Sequence, residues 1–185
     1  MPPPATPPWW WTGLFAPLLA PLLTGAFGVL ATYAAVRFDM RKTANAELTR
    51  RRLAIYDEVA PKLNDLLCFF CLIGGWRDIA PTLALQRKRE LDRIVHVWGP
   101  LFSPQTVRTY QSFIHGCFRT HTGPGRNAEL RADISRHRLG WGAEWQPGWA
   151  EHYISDAAFL PAATVTENYR RLIRQLAAEI GAPTR

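Results

Sequence analysis

The sequence predicts an all-α protein with a single N-terminal transmembrane helix followed by a cytoplasmic multi-helix domain of about four to six helices. Residues 14–36 contain no charged side chain, and the apolar residues after them recur every three or four positions. No segment shows the sustained alternation of apolar and polar residues that is typical of a strand.

We divide the chain at its changes of composition and charge. Residues 1–13 form a Pro/Trp-rich extracytoplasmic tail, and residues 14–36 form the transmembrane helix. Residues 37–52 form a basic juxtamembrane helix, and residues 53–185 form the cytoplasmic helical domain.

The uncharged segment is long enough to cross a bilayer. Its 23 residues would extend about 34 Å as a helix, against roughly 30 Å of hydrocarbon. Residues 9–11 are tryptophans, which favour the membrane–water boundary. A cleaved signal peptide and a buried core helix are the alternatives. The uncharged start of the chain argues against the first, and the length of the apolar run argues against both.

The charge distribution predicts the orientation of this signal-anchor. All of the formal net charge of +7 follows residue 36, and residues 37–52 hold six basic and two acidic residues. Basic residues beside a span stay in the cytoplasm, so the N-terminus would lie outside. Such a segment can also attract anionic lipid, but an ordinary orientation signal is the preferred interpretation.

Small residues predict a helix–helix interface within the span. Ala20, Thr24, Gly28 and Thr32 recur every four residues, which lets two backbones approach closely. We therefore expect a homo-oligomer. The alternative is the general richness of membrane helices in small residues.

Apolar spacing predicts the cytoplasmic helices, over 53–73, 81–98, 103–121, 127–137 and 164–180. Pro61 is expected to kink the first helix or mark a restart. Asp78 is a candidate cap for the second and Ser103 for the third. Thr164 and Glu167 have the spacing of a capping box at the start of the last helix.

Residues 139–156 form a tryptophan-rich segment. Trp141, Trp145 and Trp149 recur every four residues, but glycine and proline residues between them exclude a single helix. The segment is either a lid packed on the core, a partner surface or a membrane contact. We prefer the packed lid.

Basic side chains suggest a partner or anion surface. Arg89 and Arg93 are four residues apart and share a helix face, where they can hold a phosphate or an acidic partner. Arg126 lies in a glycine-bearing loop that precedes the predicted helix 127–137, a position that can bind anions. A solvated face and a plain turn are the commoner outcomes.

Cysteine spacing suggests chemistry only weakly. Cys68 and Cys71 have the C-x-x-C spacing but lie in an apolar helical run, and a zinc site would add Cys117 and His121. Free cysteines pack as small hydrophobes, so we expect reduced thiols, no metal and no cofactor. His152 lies beside Glu151 without an identifiable nucleophile, so we expect no catalytic residues.

The sequence resembles a group of small uncharacterised bacterial proteins with one N-terminal span and a helical cytoplasmic domain. The resemblance covers roughly residues 53–131. It rests on Tyr56, Ala60-Pro61, Leu63-Asn64-Asp65, Cys68-Phe69-Phe70, Gly75-Trp76, Lys88-Arg89, Leu91-Asp92, Leu101-Phe102-Ser103, Tyr110, Phe113, Phe118 and Thr122-Gly123-Pro124-Gly125. It implies a bacterial inner membrane and this architecture, and it implies no activity.

These observations favour a single-pass membrane-anchored helical interaction module that self-associates and binds a cytosolic protein or signal. The alternative is a membrane-disrupting or pore-forming effector, for example of a bacterial defence system, triggered through its cytoplasmic domain. The lipid bilayer and a second copy of the chain are further expected partners. Nucleic acid is not an expected partner. Although the pI is 9.8, no nucleic-acid-binding signature appears.

Overall fold

The structure is a computed structural model that describes residues 16–120, 123, 127–154 and 159–182. Side chains are described from residue 28 onward within these ranges, except at residues 29 and 31. The described residues are mainly helical, which confirms the all-α fold class.

The described part of the chain forms five α-helices and one two-stranded sheet. The helices are α1 (Ala16–Cys71), α2 (Pro81–Trp98), α3 (Pro104–Cys117), α4 (Ile134–Trp141) and α5 (Ala162–Glu179). The strands β1 (Phe118–Arg119) and β2 (Glu129–Leu130) pair antiparallel, with Phe118 opposite Leu130. Short 3₁₀ turns lie at Trp76–Asp78, Gly99–Leu101, Gly142–Glu144 and Pro147–His152.

The chain divides into two units, Met1–Glu47 and Leu48–Arg185. The described residues of the first unit belong to α1. Several of its large apolar side chains are exposed, with 64% of Leu30 and 63% of Tyr33 accessible to solvent. The first unit therefore presents apolar surface that the described residues do not cover.

Most side chains of the predicted span 14–36 lie outside what the structure describes. Residues 14 and 15 are outside the described ranges, and the side chains of residues 16–27 are outside them as well. Among the residues that the structure describes, no helix has both the length and the apolar character needed to cross a bilayer. The described residues thus do not support the transmembrane part of the fold class, which stays a prediction.

The second unit has its own apolar core. Its fully buried apolar side chains come from α1, α2, α3, α5 and the small sheet, and the largest are Leu63, Leu66, Phe69, Leu91, Phe113, Phe118, Leu130 and Leu172. Burial of one such side chain stabilises the fold by about 1.5–3 kcal/mol. This core fixes α2 and α3 beside each other, and the candidate site lies between them.

The helix boundaries confirm one predicted cap and correct two others. Ser103 caps α3, since its hydroxyl accepts the backbone N–H of Thr106. The predicted Asp78 cap is wrong, because Asp78 lies in a 3₁₀ turn and α2 begins at Pro81. The predicted capping box at Thr164 is also wrong, since α5 already begins at Ala162.

Three further predictions, about helices 53–73, 103–121 and 127–137, need revision. α3 ends at Cys117, and Phe118 and Arg119 form β1 instead of continuing the helix. α1 continues through Pro61 without a restart and ends at Cys71. Within 127–137, Glu129 and Leu130 pair with β1 instead of forming helix. The helix α4 starts only at Ile134, where the carboxylate of Asp133 accepts the N–H groups of the next turn. Pairing with a distant strand outweighs local helix propensity here.

Candidate functional site

A groove of about 470 Å³ lies between α2, α3 and the Gly99–Leu101 turn that joins them. We call it the α2–α3 groove. Its apolar lining includes Val95, Val107 and Ile114. Small-molecule sites commonly have volumes of roughly 300–1,000 Å³ and combine an apolar lining with a few polar groups, so this groove is the candidate functional site.

A hydrogen-bonded chain of three side chains lines the groove. Lys88 Nζ lies 2.5 Å from Asp92 Oδ2, and the hydroxyl of Tyr110 donates to Asp92 Oδ1 at 2.6 Å. Burial, together with the hydrogen bond to Asp92, raises the pKa of Tyr110. The phenol therefore stays protonated and holds the carboxylate in place, while Lys88 balances its charge.

Four other polar side chains line the same groove: His96, Gln111, His115 and Thr120. Among the described residues, none of the four has a hydrogen-bond partner from the protein. The first three are exposed and Thr120 is half-buried. The groove thus presents unengaged imidazole, amide and hydroxyl groups beside an apolar lining.

A separate aromatic cluster surrounds His137, which is 1% exposed. Its Nε2 lies 3.2 Å from the carbonyl oxygen of Phe69, and its Nδ1 lies 2.6 Å from the hydroxyl of Tyr153. Because a carbonyl only accepts, Nε2 carries the proton and Nδ1 accepts from Tyr153. Burial lowers the pKa of His137 to about 4, so the ring is neutral and ties α4 to the end of α1.

The three tryptophans of the 139–156 segment pack together beside this histidine. The ring centroids of Trp141 and Trp149 are 5.0 Å apart, and those of Trp145 and Trp149 are 5.5 Å apart. Trp141 is 5% exposed, whereas the other two are half-buried. This packing corresponds to the lid interpretation, and binding of a partner by Trp145 and Trp149 stays a prediction.

The structure describes two of the three arginines of the predicted anion surface, which stays a prediction. Arg89 and Arg93 are both exposed on α2, and the guanidinium of Arg89 donates to the carbonyl of Leu85 at 3.4 Å. Arg93 lines a surface groove that also contains Glu58 and Glu90. Arg126 lies outside the described residues.

The predicted helix–helix interface is described only at Gly28 and Thr32. Both residues are exposed, and the hydroxyl of Thr32 donates to the carbonyl of Gly28 at 2.8 Å. The side chains of Ala20 and Thr24 lie outside the described residues. The interface therefore stays a prediction.

The cysteine side chains pack as small apolar side chains do. Burial raises the pKa of Cys68 and of Cys117, so both are held in the unreactive protonated form. Among the described residues no group of three or more His, Cys, Asp or Glu side chains is arranged to hold a metal. His121, the fourth ligand of the zinc alternative, lies outside them.

Lys88 and Asp92 are four residues apart, a spacing that allows an ion pair on a helix, but no spacing in the sequence indicates the groove. The third member, Tyr110, lies on another helix, and no spacing connects His96 with His115. The sequence shows only that these polar residues lie next to the apolar faces of two predicted helices. The fold alone shows that the two faces meet.

No protein-family model, curated protein or solved structure matches this chain. The fold itself places the protein in the all-α class.

Proposed function

We propose that this protein is a single-pass, membrane-anchored helical binding module, with its N-terminus outside and its C-terminal domain in the cytoplasm. The observation that carries the proposal is the distribution of charge. Residues 14–36 have no charged side chain, and the next 16 residues hold six basic ones. A bilayer accepts the first segment, and the positive-inside rule orients the second.

The exposed apolar residues at the start of α1 support the anchor. Exposed fractions are 64% for Leu30, 63% for Tyr33 and 50% for Val36. Leu30, Tyr33 and Val36 recur every three residues along α1, and exposed apolar residues that form a patch mark contact with a membrane or a partner.

We also propose that the anchor self-associates through the face that contains Gly28. A Cβ at Gly28 would meet no atom of the described residues within 4 Å. Replacement by leucine therefore leaves the single chain undisturbed but separates two backbones that pack at this glycine. Gly28→Leu should convert crosslinked oligomers to monomers, whereas Ala34→Leu on another face should not. Equal oligomer fractions for both variants would exclude this interface.

We propose a bacterial inner membrane as the location. The test is extraction of bacterial membranes with alkaline carbonate, which removes peripheral proteins and leaves integral ones. The full chain should stay in the membrane. Leu22→Arg with Leu23→Arg should release it, because each central charge costs about 2.5–3.5 kcal/mol of insertion free energy.

The matched control is Leu139→Arg, which places a charge on a residue that is 86% exposed in the second unit. This variant should remain in the membrane like the unmodified chain. Release of the unmodified chain by carbonate would overturn the anchor. Retention of the double-arginine variant would show that another part of the chain holds it.

A further inference from the structure

We infer that the α2–α3 groove binds a small organic anion that has an apolar body. The inference does not depend on the membrane anchor. It rests on the juxtaposition, in one groove of about 470 Å³, of an apolar lining, a lysine and four polar side chains that have no hydrogen-bond partner among the described residues.

The apolar lining selects the body of the ligand. Val95 and Val107 are half-buried and Ile114 is buried, so each offers hydrocarbon surface at the groove without closing it. Covering apolar surface contributes roughly 25 cal/mol per Å². An aromatic ring or a short alkyl chain has the shape and the apolar character for this lining, whereas a bare inorganic ion would leave it wet.

The polar groups select the charge of the ligand. Asp92 is the one carboxylate among the described lining residues, and Lys88 and Tyr110 occupy its two oxygens. The ammonium of Lys88 has three N–H donors, and the described residues engage it only through Asp92. The groove therefore has unused donors and no unused carboxylate.

The rim adds neutral donors to this lysine. His96 and His115 each carry at least one ring N–H, Gln111 has an amide NH₂, and Thr120 has a hydroxyl. Charge-assisted hydrogen bonds from such donors to a carboxylate or phosphate are about twice as strong as neutral ones. A cation would find no free carboxylate among the described lining residues, because Lys88 and Tyr110 already engage Asp92, so the same groove disfavours it.

A metal ion is the main alternative occupant of a groove lined by two histidines. Stable sites need three or more protein ligands. The described residues contain no such group, so His96 and His115 are assigned as hydrogen-bonding groups of the anion site.

The test uses the full chain in non-ionic detergent, with its histidines labelled with ¹³C at Cε1. Phenyl phosphate is the probe, since it joins a ring to an anionic group. We expect saturable shifts of the His96 and His115 signals, with half-saturation below about 1 mM. His137 and His152, which do not line the groove, should not shift.

Two comparison ligands separate the parts of the inference. Inorganic phosphate lacks the apolar body and phenol lacks the charge, so each should bind at least about tenfold more weakly than phenyl phosphate.

Dihexanoyl phosphatidylglycerol distinguishes the source of the anion. Shifts with this short-chain lipid that exceed those with phenyl phosphate assign the site to a headgroup, and weaker shifts assign it to a soluble anion.

Calorimetry on variants locates the site independently. The double variant His96→Ala with His115→Ala removes two exposed side chains and should weaken phenyl phosphate binding about tenfold or more. His152→Ala is the control and should bind like the unmodified chain. An unchanged His137 signal in the double variant verifies that its fold is intact.

Three results would overturn the inference. One is the absence of saturable shifts at His96 and His115 with about 10 mM phenyl phosphate. Another is equal affinity for phenol and phenyl phosphate, which would show that charge is irrelevant. The third is equal affinity of the double variant and the His152→Ala control. None of these outcomes bears on membrane insertion, so this inference and the proposed function fail independently.

Discussion

Replacing Glu179 by alanine should destabilise the second unit far more than the same replacement elsewhere on α5. Glu179 lies at the end of α5, and its side chain is 10% exposed. Its Oε1 accepts the backbone N–H of Ser103 and the hydroxyl of Thr106, each at 2.9 Å. Its Oε2 lies 3.2 Å from the guanidinium of Arg52 on α1. One carboxylate thus joins α1, α3 and α5.

The size of the loss follows from these contacts. A hydrogen bond to a charged group contributes about 1.5–3 kcal/mol, and contacts that share one group are not additive. Arg52 keeps two acceptors after the replacement, since it also donates to the backbone carbonyls of Leu101 and residue 179. We therefore expect a loss of about 2–4 kcal/mol in the free energy of unfolding.

The charge of Glu179 makes this contribution depend on pH. Burial raises its pKa, but the hydrogen bonds from Ser103 and Thr106 and the charge of Arg52 outweigh burial, so the pKa lies below its ordinary value. A carboxyl group with a lowered folded-state pKa stabilises the fold above its unfolded pKa and loses this effect as the pH falls through the folded value. The advantage of the unmodified chain over Glu179→Gln should therefore shrink below about pH 4.3.

The assay is urea unfolding of the full chain in non-ionic detergent, followed by tryptophan fluorescence. The matched control is Glu167→Ala on the same helix. Glu167 also lies 3.2 Å from an arginine, Arg174, but their side chains are 50% and 61% exposed. Exposed pairs of this kind contribute about 0–1 kcal/mol. Equal losses for the two variants would refute the reasoning.

Three further predictions use the same assay. The folded pKa of His137 is about 4, against about 6.5 for an unperturbed histidine. As the pH falls, the histidine of the unfolded chain therefore takes up a proton at a higher pH than that of the folded chain. The unmodified chain should therefore lose stability between about pH 6.5 and pH 4, and His137→Gln should flatten this slope; an unchanged slope contradicts the assignment. Gly140→Ala should cost about 1–3 kcal/mol, since its Cβ would lie 2.5 Å from the ring of Trp76, whereas Gly148→Ala, with no described atom within 4 Å, should be near neutral. Asp133→Ala removes the cap of α4 and should cost about 1 kcal/mol; a loss below about 0.3 kcal/mol would show that the cap is dispensable.

The sequence predicted helix boundaries correctly where neighbouring residues determine them. Ser103 and Pro104 specify a helix start within a few residues, and the structure has this start. The same type of signal failed at Thr164, since α5 begins two residues earlier, at Ala162, after an N-cap residue, Pro161, that makes no side-chain cap. Boundaries of this kind depend on small differences between neighbouring capping options.

Features that depend on distant residues were not predictable from spacing. The strand at Glu129 exists because Phe118 lies opposite Leu130, and nothing near residue 129 indicates that partner. His137 belongs to no recognisable sequence motif, because its hydrogen-bond partners, Phe69 and Tyr153, are 68 and 16 residues away. The candidate groove likewise lies between two helices, α2 and α3, so only the fold shows which residues line it.

We propose that one span holds the C-terminal unit on the cytoplasmic side of a bacterial inner membrane. The most direct test of this proposal is a pair of fusions after residue 185, one to alkaline phosphatase and one to green fluorescent protein. We expect fluorescence in the membrane fraction and no phosphatase activity, since the phosphatase folds only outside the cytoplasm. Active phosphatase, or fluorescence in the soluble fraction, would contradict the account.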